Sequence, residues 1–448
     1  MHFSTNLFWD EADVVLQSHP LLCMYYGDVL AFRALLPHCS SYSARMLLQG
    51  EGARIIVRQP LQIATILEQA PKLAQEWAAE RQARQQRTQA DPADYEQLRQ
   101  LGVPLMAVPV ELGGTWESLE QTARPFCTIL RTMAQGDPSI TLASAMHQLV
   151  LSSWRLPTVP APYTDLWVKQ RREVFQTVLE GCWWGTIISE PGSGGDVTQT
   201  QSEADLYNAP LEYRISGLKH FGSGSGMTSF MTTQAVPAGE TAPDLFYIEV
   251  RNVPWDGSTG MKLTAPWRGH GMSSTNSHAF EFTNFPAMRV AWPGHRAELM
   301  EANGGLGGMA FTSVVTGVVD AAMTYTRQRL KGQRSQGSTL RAFQQVEWAA
   351  AEQEAWLIAQ AWEGALRTFD QGTQNRRTVL LAKTSVARLA ESVLSRLCKL
   401  SGGSAYTWYS PLGAWFEDVR ALGYLRPPWA LAYDQLYSMG WQENLVEE

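Results

Sequence analysis

The segment SEPGSGGDV, Ser189 to Val197, decides how the rest of the chain is read. Pro191, Gly192, Gly194 and Gly195 bar both regular helix and a central strand, because proline lacks an N–H and glycine has no side chain to pack. Such a loop exposes backbone N–H groups and lets a ligand approach the main chain closely. Ser189 adds a hydroxyl at its start. Alone, a glycine-rich loop reads more readily as a hairpin turn.

Its neighbours point to a ligand. Downstream, GLKHFGSGSGMTSF (217–230) puts Phe221 and Ser223 at the end of a strand pattern. An aromatic face beside a hydroxyl suits a flat heteroaromatic ring and its hydrogen-bonding edge. In the last third, LSGGSAYTWYSPLG follows a long helical pattern. There Gly402 and Gly403 let the chain turn at a helix end and come near a ligand.

Around these stretches the grammar runs α, then β, then α. Residues 1–57 contain short apolar pieces such as LLCMYYGDVLAFRALL without a clean period. A helical extension, an unusual start and a poorly ordered arm all remain open for them. Residues 58–182 carry helical spacing in LQIATILEQAPKLAQEWAAERQARQQ, with a helix-start signal at Asp94 and a stop at Gly102. Residues 183–295 hold short β-branched and aromatic runs between turn residues, among them YRISG, DLFYIEV and HAFEFTNF. From 296 to 448 three patterns are long enough to cross a bundle: SVVTGVVDAAMTYTRQRL, AFQQVEWAAAEQEAWLIAQAWEGALRTF and TVLLAKTSVARLAESVLSRLCKL. The expected fold is α+β: an N-terminal α-helical domain, a central β domain and a C-terminal four-helix bundle.

Bulk properties exclude several classes. The chain has 448 residues, 45% of them hydrophobic and 18% charged, with a formal net charge of -7. A mildly acidic chain with scattered basic residues has no electrostatic footprint for nucleic acid. The five cysteines, Cys23, Cys39, Cys127, Cys182 and Cys398, are odd in number and lack zinc spacing. Free thiols in a reducing compartment follow from that. With no long apolar run and no signal-peptide start, the expectation is a cytoplasmic protein without a membrane span.

The order of these motifs resembles the acyl-CoA dehydrogenase family, whose fold is shared with two-component flavin monooxygenases. SEPGSGGDV is similar to the family's signature near the flavin, and Phe221-Gly222-Ser223-Gly224 to its next strand end. WRGHGMSSTNSHAFEFTNFPA (267–287), TGVVDAAMTYTRQR, LSGGSAYTWYSPLGAWFEDVR and the upstream LGVPLMAVPVELGGTWES match further family segments in order. The resemblance covers residues 58–435. It implies a flavoprotein oxidoreductase binding FAD, with FMN less favoured. Ser189, Gly194, Gly195, Phe221 and Ser223 would meet the flavin. Arg329 or Arg334, between which the stretch LKGQ blurs the alignment, would meet the pyrophosphate across a subunit interface, near Gly402 and Gly403. It also implies a homodimer or homotetramer, with an electron acceptor or a flavin reductase as partner.

The chain departs from the family where a dehydrogenase needs a carboxylate base. Counted without gaps, that position holds Arg426, whose guanidinium stays protonated and cannot act as a base. The alternative base position, on the helix entering the bundle, falls on Asn303, with Glu301 two residues away. Gly304 stands where the family's substrate-binding arginine would be. Glu301 is therefore the candidate base if the reaction is α,β-dehydrogenation of an acyl thioester, the leading expectation. Oxygenation of a small molecule by reduced flavin needs no such base and is the second reading. A non-catalytic flavin-binding relative is the third. Histidines often lie near the flavin in the oxygenating branch. The candidates here are His220, His270 and His278, while His147, in SAMHQLV, reads as a core residue.

Overall fold

The computed structural model describes residues 14–15, 43–48, 53–58, 61–335, 339–373 and 375–443. The chain divides into two compact units, residues 1–62 and 63–448. In the first, strands β1 (Val14–Val15), β2 (Ser43–Leu48) and β3 (Ala53–Arg58) form an antiparallel sheet in the order β1-β3-β2. β3 reads ARIIVR, and its β-branched residues favour a pleated strand. The sequence reading saw no period here, because six-residue strands separated by unrelated segments leave too little to count.

The second unit opens with six helices: α1 (Ile63–Ala79), α2 (Arg81–Gln85), α3 (Pro92–Leu101), α4 (Leu119–Met133), α5 (Pro138–Leu151) and α6 (Thr164–Leu179). Their starts follow local chemistry. Asp91, Ser118 and Asp137 each accept a backbone N–H at the first turn of α3, α4 and α5. Pro92 and Pro138 occupy first helical positions, where a missing N–H costs nothing. The expected start at Asp94 is thus corrected to Asp91. Asp94 lies in the first turn, 2% exposed, and pairs with Arg84 and Arg87. Gly102 ends the helix in the left-handed region at φ 90°, as expected.

Seven strands follow: β4 (Trp184–Thr186), β5 (Glu203–Leu206), β6 (Glu212–Gly222), β7 (Phe230–Pro237), β8 (Asp244–Glu249), β9 (Met261–Ala265) and β10 (His278–Arg289). β7 pairs with β5 and β8, β5 with β6, and β10 with both β6 and β8, so the hydrogen-bonded path returns on itself. β4 joins β7, and β9 joins β10. Ile215, Met231, Phe246, Ile248, Phe280 and Phe282 fill the interior. A second apolar cluster fastens the strands to the helices. In it Trp154, Trp167 and Trp184 are at most 1% exposed, and Trp184 stacks on Phe230 at 4.8 Å. Fully burying a large side chain contributes about 1.5–3 kcal/mol. This cluster fixes β4, from which the chain runs directly to Ser189.

After the short helix α7 (Arg296–Glu301), four helices pack together: α8 (Leu306–Ser335), α9 (Ala342–Asp370), α10 (Arg376–Ser401) and α11 (Pro411–Tyr424). α12 (Trp429–Glu443) lies against α10. α4 also crosses α8, at Gly317, where a Cβ would stand 2.2 Å from the Arg131 carbonyl oxygen. Any larger residue would push the two helices apart. The expected lack of a long apolar run needs amending. A window within 296–333 is apolar enough to cross a membrane by length and composition, and 78% of it is buried inside the protein. That is the pattern of a central bundle helix.

Candidate functional site

The glycine loop is anchored at its base and open at its tip. Ser189 accepts a backbone hydrogen bond from His220 at 2.7 Å, which lays the loop's start along the end of β6. Glu190 turns inward. Its carboxylate accepts from Lys219 Nζ at 2.5 Å, from Ser202 Oγ at 2.7 Å and from the Gln201 N–H at 2.6 Å. The two charged side chains are 6% and 1% exposed. Burial works against the Glu190 charge, but the bonds from Lys219, Gln201 and Ser202 together outweigh it and hold the carboxyl below its usual range. Burial pushes Lys219 down, Glu190 pulls it back up, and the nearby Arg426 pushes it down again. Removing one partner of such a pair typically costs about 3–5 kcal/mol, so the pair acts as a fixed mount. Beyond it, Gly192 and Gly194 lie at φ 82° and 60°, with nothing within 4 Å of a built Cβ.

Beside the loop, β6 ends in an unusual conformation. Phe221 has φ 59° and is 56% exposed, its ring edge-on to Trp267 at 6.1 Å. A non-glycine residue held there costs about 1–3 kcal/mol. Two residues on, Ser223 Oγ lies 2.8 Å from Ser277 Oγ, which lies 2.8 Å from Thr275 Oγ1. The chain ends where Thr275 donates to the Met272 carbonyl at 2.9 Å. An exposed ring, a hydroxyl on an ordered relay and an open glycine backbone fit a flat heteroaromatic group such as a flavin. The sequence marks Phe221 and Ser223 as candidates; Thr275 and Ser277 join them only through the structure. Their signal was the Ser/Thr-rich run MSSTNS within the matched segment.

The C-terminal segment closes against the loop. Gly195, at φ 86°, would place a Cβ 2.7 Å from Pro428 Cγ. On the other side Lys383, 2% exposed in α10, donates to the carbonyls of Leu422 (2.9 Å), Leu425 (3.0 Å) and Pro427 (2.9 Å). Burial pushes the Lys383 pKa down to about 8. Arg426 sits within this clamped segment, partly exposed, and desolvation pushes it down to about 10. Its guanidinium makes no hydrogen bond or ion pair to any described residue. The residue counted onto the dehydrogenase base position therefore belongs to the segment that meets the glycine loop.

Other expected residues fall in separate places. Arg329 donates to Ser404 Oγ at 2.7 Å, which brings it to the turn carrying Gly402 and Gly403. Both glycines have open space around them. The Arg334 side chain lies outside the described residues. Glu301 is exposed at the end of α7, and no hydrogen bond or ion pair joins it to the loop, Phe221 or Ser223 among the described residues. The same connection carries Asn303 to Ser152 Oγ at 3.1 Å.

The histidines also separate. His147 is fully buried and its pKa is pushed down to about 3 by desolvation. Its Nδ1 accepts from the Trp184 N–H at 2.9 Å, so Nε2–H faces the Pro104 carbonyl at 3.3 Å. That is a core residue with both nitrogens satisfied, as its apolar helical setting predicts. His278 Nδ1 accepts from the Trp267 N–H. His270 is exposed at a cleft of about 500 Å³ lined also by Arg84, Asp137, Tyr406, Trp415 and Asp418. None of the residues lining this cleft belongs to the glycine loop or to the Phe221–Ser223 corner.

Comparison with known proteins agrees with this architecture. Residues 304–425 match the family model described as acyl-CoA dehydrogenase, C-terminal domain. Over 238 residues the chain is 26% identical to the amino sugar nitrososynthase DnmZ of Streptomyces peucetius, covering 48% of this chain and 56% of that protein. The chain thus spans little more than half the length of this relative. Among solved structures, KijD3 in complex with FMN and dTDP-3-amino-2,3,6-trideoxy-4-keto-3-methyl-D-glucose has a TM-score of 0.69 at 19% identity, over 85% of this chain and 94% of that one. Butyryl-CoA dehydrogenase of Megasphaera elsdenii has a TM-score of 0.71 at 15% identity, over 84% and 97%.

Proposed function

From a chain with the acyl-CoA dehydrogenase fold, we propose a flavin-dependent oxidoreductase that oxygenates a small molecule using reduced flavin and dioxygen. Arg426 carries this reading. A dehydrogenase needs a carboxylate to take a proton from the substrate, and a guanidinium cannot. The other candidate, Glu301, is exposed and unconnected to the glycine loop. The relative named as a nitrososynthase supports the same choice. Thioester dehydrogenation, which leads on the sequence alone, becomes the second reading, with Glu301 as its base.

The flavin, when bound, supplies two electrons, so that one oxygen atom enters the substrate and the other leaves as water. This chain's residues position the parts. The Phe221 ring offers a face for the flat ring system, and Ser223 offers a hydroxyl to its polar edge. Backbone N–H groups of the open glycine loop suit negative charge. FAD gives Arg329 and the Gly402-Gly403 turn a pyrophosphate side to hold. FMN, the group named in the KijD3 structure, is the alternative. A separate flavin reductase would supply reduced flavin.

The test uses purified protein loaded with flavin and reduced by dithionite in the absence of air. On this reading, butyryl-CoA leaves the oxidised flavin band unbleached, while the reduced protein consumes oxygen. Rapid bleaching by the thioester, blocked in Glu301→Gln, would restore the dehydrogenase reading. Mass measurement of the flavin released by heat identifies FAD or FMN.

A further inference from the structure

We propose that Arg426 is the recognition group for an anionic oxygen pair on the substrate, a carboxylate or a phosphate; the inference rests on the flavin reading above. Three observations carry it. First, the partly exposed guanidinium has no hydrogen bond or ion pair to any described residue, and the burial it does have depresses its pKa. A desolvated charge without a partner is costly, and proteins retain one where a ligand completes it. Second, its mount is rigid. Lys383 holds the carbonyls of Leu422, Leu425 and Pro427 from one side, and Pro428 rests on Gly195 on the other. Three charge-assisted hydrogen bonds from a buried lysine hold the backbone on both sides of Arg426. Third, the positive charge there is not neutralised by Glu190. Lys219 is near enough for Arg426 to depress its pKa, and the Glu190 carboxylate is already taken up by Lys219, Ser202 and Gln201. The guanidinium fork matches carboxylate and phosphate geometry in two parallel bonds, which a lysine does not. Arg426 thus stands, without a hydrogen-bond or ion-pair partner among the described residues, in a clamped segment that meets the glycine loop at Pro428.

The experiment compares wild type, Arg426→Gln and Arg426→Lys, each loaded with flavin, at ionic strength held constant with sodium chloride. Sodium phosphate and sodium propionate are titrated separately, and the visible flavin band is followed. Wild type should show a saturable perturbation with at least one anion, and the anion that binds more tightly names the source. Arg426→Gln should bind it at least about 10-fold more weakly, as expected for loss of a charge-assisted pair, and Arg426→Lys should recover only part of the loss. Equal binding by wild type and Arg426→Gln, or no saturable response in flavin-loaded wild type, would overturn the proposal. If the protein takes up no flavin, the functional reading fails instead. The same titrations on flavin-free protein, read by intrinsic tryptophan fluorescence, then decide Arg426 by the same criterion.

Discussion

Pro428 rests directly on Gly195. A Cβ at residue 195 would stand 2.7 Å from the proline Cγ, so loop and C-terminal segment meet at backbone distance. Gly195→Ala should therefore suffer twice, from its φ of 86° and from the collision. Gly192→Ala, at φ 82° in open space, should carry only the backbone cost of about 1–2 kcal/mol. Urea unfolding should rank Gly195→Ala well below Gly192→Ala, with flavin lost on gel filtration from the former alone. Equal midpoints would mean the contact yields readily.

Phe221 stores strain where its ring is exposed. Phe221→Gly relieves the left-handed backbone and removes the aromatic face. Its unfolding free energy should stay level or rise by about 1 kcal/mol, while flavin affinity falls at least several-fold by fluorescence titration. A variant that binds flavin like wild type would show that the ring has no part in the site.

Asp418 is buried, and desolvation pushes its pKa up to about 7 while its carboxylate accepts the Met272 N–H at 2.7 Å. The unfolded chain ionises this group near 4, so wild-type stability falls as pH rises from about 4 to about 7 and the penalty is complete above that. Asp418→Asn keeps an oxygen for the Met272 N–H and removes the charge. It should be more stable than wild type at pH 8, by at most roughly 4 kcal/mol, and equal to it at pH 4. Thermal melts at the two pH values test the sign. A deficit at pH 8 would show that the charge is needed.

His147, with its pKa pushed down to about 3, is neutral through the usual working range. His147→Leu should strand the Trp184 N–H and the Pro104 carbonyl and cost about 2–4 kcal/mol, read as a lower denaturant midpoint. The pH profile of turnover should keep its shape in any folded fraction. A lost inflection between pH 5 and 8 would place His147 in the chemistry.

Glu301→Gln separates the two oxidative readings. Oxygen consumption by the reduced protein should be unchanged, since an exposed carboxylate at a helix end contributes little there. A drop of about 100-fold or more, the usual cost of losing a positioned base, would make Glu301 catalytic.

Much of this was legible from residue type and spacing. The α, β, α order follows from a change of apolar period near residues 183 and 296, and the irregular loop from Pro191 and three glycines that admit no regular element. Phe221, Ser223 and the Gly402-Gly403 turn were marked by the same local chemistry. The strands at 203–206 and 261–265 were missed, because four or five residues with exposed polar neighbours carry no countable alternation. The start of α3 was misplaced by three residues, since Asp91 and Asp94 look alike until burial shows which one caps and which one pairs with arginine.

Local sequence thus determined the elements and the open glycine loop between them, because helix, strand and turn preferences act over a few residues. Only the tertiary structure decided the company each group keeps. It put Lys383 under the Arg426 segment 43 positions away, Pro428 on Gly195, Ser277 beside Ser223, and both nitrogens of His147 against backbone. Whether a charged side chain is paired, solvated or waiting for a ligand depends on neighbours brought in by long-range packing, and no period along the chain encodes them.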